Sequence, residues 1–172
     1  DAAALLASLG HFVEERDAEI DAHAFAKDYV TLAGVAVAAE IAEAERLLER
    51  KATRADFEPT TWLLRHLGHT VRAVEHTEAI LRMRALARRL DRMFSEYDAF
   101  VSPTLALPPV RIGELEPRGI ERVFRTLVAD RGLRPLLRLP GLLDRMAEGF
   151  FQFVTFTMVW NMTGQPSMSV PR

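Results

Sequence analysis

Three serines, Ser102, Ser167 and Ser169, and three histidines, His66, His69 and His76, are the residues of this chain whose types first suggest catalysis or metal binding. A serine hydroxyl is a poor nucleophile unless a base lies within hydrogen-bond reach. No histidine or lysine stands close in sequence to any of the three serines, so they read as serines at strand edges. The histidines lie three and seven residues apart, but Gly68 between the first two interrupts the helix that would align them. A metal site needs clustered ligands held by an ordered second shell, and none is expected here. Asp17, Glu19 and Asp21 alternate as in a calcium loop, yet the glycine and terminal glutamate such a loop requires are missing, which leaves solvated loop charges. With no cysteine, thiolate nucleophiles, thiolate zinc sites and disulfides are excluded.

A second kind of chemistry is apolar recognition. Trp62 and the aromatic set Phe150, Phe153, Phe156 and Trp160 can line a substrate pocket, although aromatics at helical spacing more often pack a core. In open α/β sheets, ligands sit beyond the carboxyl ends of strands. Thr104 and Pro171 each follow a segment that reads as a strand. The candidates for a pocket wall are therefore Trp62, Thr104, Phe153 and Trp160.

The elements that position these residues are mostly helical. Leu5, Leu6 and Leu9 share one face of a short helix that Gly10 ends. An Ala/Glu-rich pattern predicts a long helix over 25–50, preceded by a loop containing His23. Pro59 opens a helix that Gly68 stops. The strongest helical pattern runs from Thr70 to Ser95, with Val74, Leu81, Ala85 and Leu90 near one stripe. Further helical pieces are expected over 120–129, after Pro140, and over 150–160, the last apolar on every side. Short strands are expected at 11–15, 99–102 and 167–170, the middle one a buried run closed by Ser102-Pro103. Asn161 and Gly164 supply positions tolerant of positive φ where the aromatic helix stops, and Pro166 forces Gln165 toward an extended conformation.

The bulk composition fits this reading. The 172 residues amount to about one domain, and 49% are hydrophobic, enough for a core. A formal net charge of -2 provides no basic face, so nucleic acid is not an expected partner. No apolar run reaches the ~20 residues of a membrane span. The first residues, Asp1 to Leu6, resemble the middle of a helix, which suggests that the chain is a piece of a longer protein.

Several stretches carry a family resemblance. One is Tyr97-Asp98-Ala99-Phe100-Val101-Ser102-Pro103-Thr104, continuing to Pro108-Pro109 and Ile112-Gly113; another is Asn161-Met162-Thr163-Gly164-Gln165-Pro166, leading through Ser167 to Pro171. Both resemble the C-terminal half of amidase-signature enzymes. Phe57-Glu58-Pro59-Thr60-Thr61-Trp62 with Leu67-Gly68, and Leu9-Gly10-His11 with Val13-Glu14, are similar to the bacterial branch that includes hydrolases of cyclic nylon-oligomer dimers. The ordered spacing of all four elements is more specific than any one of them. The resemblance implies a piece of an α/β amidase domain, predominantly α with a few short strands. It makes Asp98, Pro103, Thr104, Asn161, Gly164, Gln165, Pro166 and Pro171 structural landmarks.

The chemistry of that family uses a serine nucleophile, a second serine in a cis peptide and a lysine base, with a Gly/Ser-rich loop donating to the oxyanion. This chain has no Ser-Ser or Gly-Gly pair, and its only lysines, Lys27 and Lys51, read as solvated positions on or beside the long helix. The resemblance therefore implies a parent that hydrolyses linear or cyclic amides, with its triad outside this chain and no catalytic residue within it. It implies a small-molecule amide as the parent's substrate and no cofactor or metal, while the lack of a membrane-length apolar run and of cysteine leads us to expect no membrane partner and a cytoplasmic location. An inactive piece is therefore expected, and the all-round apolar helix over 150–160, cut off from the rest of its domain, together with unpaired strand edges, leads us to expect that it self-associates. The alternative is a self-contained helical interaction module with no enzymatic parent.

Overall fold

A computed structural model describes residues 2–109 and 156–170, together with residues 111, 113, 136, 137, 139, 141 and 144. The described chain is helical. The helices are α1 (Ala2–Ser8), α2 (Ala22–Leu47), α3 (Pro59–Gly68), α4 (Ala73–Met93) and α5 (residues 156–163), with a 3-10 turn at Arg54–Asp56.

The long helix α2 is the spine, and its sequence explains why. Ala26, Val30, Gly34, Ala38 and Ile41 recur at steps of three or four and form one buried stripe. Most of these side chains are small, so a second helix can come very close. Asp21 starts α2 by accepting a hydrogen bond from the Ala24 backbone N–H at 2.9 Å. This start brings His23 into the first turn, where a loop was expected. Helix α3 starts with Pro59 in its first turn and ends at Gly68, packing Trp62, His66 and Leu67 inward against α2.

Helix α4 also packs on α2. It buries Ala79, Met83 and Leu90, with Leu86 packed beside them. The expected stripe is corrected here. Leu90 is inside, but Val74 and Leu81 remain 65% and 56% exposed. Helix α4 has apolar residues on two sides, and the side carrying Met83 is the one that meets α2. A bidentate ion pair reinforces the choice: Arg82 donates from Nε and Nη2 to the buried Asp28 carboxylate of α2, at 2.8 and 2.7 Å.

The connection from α2 to α3 is held by charge. Glu45 accepts from Lys51 Nζ, the Ala52 backbone N–H and Arg65 of α3. Asp56 accepts two bonds from Arg50 and closes a capping box with Thr53. These donors hold both carboxyls below their ordinary range: for Glu45 chiefly the Lys51 bond, for Asp56 chiefly the Arg50 bond.

The strands expected at 11–15, 99–102 and 167–170 are absent; all three segments run as irregular chain. A strand needs a neighbour to complete its ladder, and none of the three pairs with another among the described residues. Tyr97, two residues before the second segment, does reach the first, its hydroxyl donating to the Glu14 carboxylate. That bond, more than any other influence, raises the Tyr97 pKa. The helices expected over 120–129 and after Pro140, and the first part of the 150–160 helix, lie outside the described residues, Asp144 excepted, which is helical.

Candidate functional site

The approach to α2 is built by its acidic residues, which act as turn formers. Asp17 Oδ1 accepts from the Glu19 backbone N–H at 2.8 Å, and Glu19 adopts a φ of 53°. Two residues on, Asp21 caps the helix. Arg89 of α4 donates to the Glu19 carbonyl at 2.7 Å and ties the turn down. With the polar residues so engaged, the alternating Ala18 and Ile20 become half-buried and pack against the core.

A second wall follows α4, where Phe100 and Ser102 are half-buried. The third is α5. Its end is set by Gly164, whose φ of 82° turns the chain while its N–H donates to the Trp160 carbonyl at 2.9 Å. Asn161, expected to share that role, stays helical. Gln165 then donates to the Asp91 carboxylate at 2.8 Å and fastens the turn to α4. The Asn-x-Thr-Gly-Gln-Pro stretch thus positions α5, and with it Trp160. The indole sits between Phe94, at 6.2 Å between ring centroids, and Phe100, at 5.6 Å.

Together these walls enclose an open cleft of about 280 Å³. Ala18, Ile20, Phe100, Phe156, Val159 and Trp160 make most of its lining, Ser102 adds a hydroxyl, and Arg16 and Asp17 add one charge of each sign. The arrangement can hold an apolar group against an aromatic surface. Among the described residues no cluster of histidines and carboxylates could hold a metal ion, and no helix is long and apolar enough to cross a membrane.

No family model matches the chain, and no solved structure matches it. Curated relatives do. A putative amidase, AmiC, of Mycobacterium tuberculosis is 33% identical over 171 residues, which are 98% of this chain and 31% of the relative. The 6-aminohexanoate-cyclic-dimer hydrolase of Paenarthrobacter ureafaciens is 30% identical over 173 residues, 99% of this chain and 32% of the relative. The chain belongs to an amidase family. A lipoamidase of Enterococcus faecalis is similar as well, 27% identical over 99% of this chain and 23% of its own length. The chain thus spans about a third of the length of the first two relatives. The likeness to amidases runs over nearly all of the chain.

The residues singled out from sequence fall in different places on this chain. Trp160 lines the cleft. Trp62 does not; it is 6% exposed in the α2–α3 contact, stacked on Phe57 at 6.0 Å with the Arg65 guanidinium 4.5 Å from its ring centroid. His66 meets Trp62 edge-on at 5.5 Å. Thr104 is exposed and stands outside the lining. Phe153 and Pro171 lie outside the described residues, and Asp98, Pro103 and Pro166 are exposed. The sequence reading missed Ala18 and Ile20. Their signal was present, as two apolar residues alternating with Asp17, Glu19 and Asp21.

Both lysines of the chain are paired with carboxylates. Lys27 Nζ is 2.9 Å from Asp144, which also meets His23 at 3.0 Å, and Lys51 Nζ is 3.0 Å from Glu45. The donors around Asp144, Lys27 first, hold its carboxyl below the ordinary range. Lys51 remains 89% exposed, as its polar surroundings suggest, whereas Lys27 is 40% exposed. Ser8 and Ser95 donate to helix carbonyls three residues earlier.

Proposed function

We propose that this chain is a single helical piece of a serine-dependent amide hydrolase and that it supplies scaffold and a pocket wall, while the reacting groups come from the rest of the enzyme. The reaction is hydrolysis of a carboxamide C–N bond: a serine oxygen adds to the carbonyl carbon, the amine leaves with a proton, and water releases the acid from the acyl-enzyme. A Ser–Ser–Lys group of this kind needs a lysine free to take up the serine proton. The observation that carries the reading is that Lys27 and Lys51 both face carboxylates, in a chain that spans about a third of its amidase relatives. Small-molecule amides are the proposed substrates, and Trp160 is the pocket-wall candidate that stands in a cleft.

A fluorophosphonate serine probe, followed by peptide mapping, tests this. The complete enzyme should be labelled on a serine outside these residues and lose amidase activity, while the 172-residue chain should stay unlabelled and inactive. Labelling of Ser102, Ser167 or Ser169 would overturn it.

A further inference from the structure

We infer that the outward face of α4 is a self-complementary seam on which a second copy of this chain docks, α4 against α4 and antiparallel. The stripe expected from sequence does exist, but it points away from α2. Val74, Glu78, Leu81, Ala85, Arg88 and Arg92 follow one another at alternating steps of four and three residues, and all six are exposed. They lie on the side of the helix opposite Ala79, Met83 and Leu90, which are buried. Alternating steps of four and three are the spacing of a two-helix seam, in which each side chain enters a gap on the facing helix.

The order of side chains along the stripe chooses the partner and its direction. A parallel copy would set Glu78 on Glu78, Arg88 on Arg88 and Arg92 on Arg92, all like charges. An antiparallel copy, related by a two-fold axis at the level of Met83, sets Leu81 on Ala85 twice, a large side chain on a small one. Outside these layers Glu78 meets Arg88 twice, and the Arg92 stem lies over Val74 twice. The same patch thus serves both copies, as a two-fold contact requires. Arg88 and Arg92 find no carboxylate among the described residues, and Glu78 is 3.9 Å from Arg82, whose guanidinium Asp28 already holds. Exposed ion pairs are weak singly, so here they fix direction and register while the Leu81–Ala85 layers cover apolar surface. Arg84 flanks the seam near the axis and meets its own copy, a repulsion that weakens the pair. None of this depends on which amide the enzyme cleaves.

Sedimentation equilibrium of the 172-residue chain tests this, in a Phe12→Glu background that removes a separate exposed apolar group. A monomer–dimer equilibrium is expected. Glu78→Arg alone and Arg88→Glu alone should each weaken the dimer about tenfold, because both symmetry-related ion pairs turn repulsive. Both changes on one chain should restore it. An equimolar mixture of the two single variants should also dimerise as the parent does, since one copy then carries only cations at these positions and the other only carboxylates. Leu81→Glu should abolish the dimer, and Arg84→Ala should tighten it, with helix content by circular dichroism retained in every variant. The complete enzyme should be a dimer with the same responses. The proposal is overturned by a monomeric chain, by a dimer indifferent to either charge reversal, or by a mixture of single variants that stays apart. A monomeric complete enzyme overturns it as well, and would mean that the rest of the enzyme covers α4. Each of those failures leaves the serine-labelling result untouched, so the seam and the amidase reading stand or fall separately.

Discussion

Gly34 of α2 and Gly68 of α3 meet backbone to backbone: a Cβ on Gly68 would stand 2.0 Å from the Gly34 carbonyl oxygen and 2.9 Å from the Ala38 Cβ. That contact sets how closely the two helices cross. It also explains why the buried stripe of α2 is built mainly from small residues.

The two glycines differ in what they tolerate. Gly68→Ala should destabilise the chain by ~1–3 kcal/mol or more, since the obstruction is backbone that cannot rotate away. A Cβ on Gly34 meets its nearest atoms at 3.2 and 3.3 Å, so a few tenths of an ångström suffice there. Alanine also gains ~1 kcal/mol in helix propensity over glycine. Gly34→Ala should therefore be the milder change. Urea unfolding followed by circular dichroism measures both, and equal effects would refute the asymmetry.

Asp28 depends on Arg82. The carboxylate is buried and the guanidinium half in solvent. Arg82→Ala leaves a buried charge that water reaches only in part, with an expected cost of ~1–3 kcal/mol, below that of breaking a fully buried pair. Asp28→Ala combined with Arg82→Ala should cost less than the sum of the single changes. Simple additivity in a double-mutant cycle would show that the bidentate contact contributes nothing.

Acid should loosen the α2–α3 connection. The folded-state pKa values of Glu45 and Asp56 are depressed from ordinary values of 4.5 and 3.8. A depressed carboxyl contributes stability that is fully present above its unfolded value and is lost as pH falls through the folded one. Stability should thus be flat from neutral pH down to about the ordinary carboxyl range and decline below it. Glu45→Gln and Asp56→Asn should each shallow that decline. An unchanged acid limb in both variants would contradict the assignment.

Self-association is also expected from exposed apolar groups elsewhere among the described residues. Within α5, Met158 and Val159 are covered by the chain itself. Among the exposed apolar groups are Leu9 and Phe12 near the start, at 66% and 86%, and Met168 and Val170 near the end, at 89% and 72%. Clusters of this kind make a surface adhesive. Light scattering over a concentration series should show mass rising, with Phe12→Glu reducing it. A monodisperse monomer at high concentration would refute this.

What the sequence determined by itself is local. Pro59 begins a helix, Gly68 ends it, and Gly164 turns the chain after α5, because capping and backbone freedom depend on a few neighbouring residues. The family was legible too, in the ordered motifs around Tyr97–Thr104 and Asn161–Pro171. Tertiary structure decided what local patterns leave degenerate. Helix α4 has apolar residues on two faces, and only its meeting with α2 chose Met83 over Leu81. Segments 11–15, 99–102 and 167–170 have the composition of strands, but a strand exists only where another strand completes its hydrogen bonds. The cleft is decided in the same way: Ile20, Phe100 and Trp160 are 80 and 60 residues apart in sequence, and only the packing of the approach to α2, the chain after α4, and α5 brings them onto one surface.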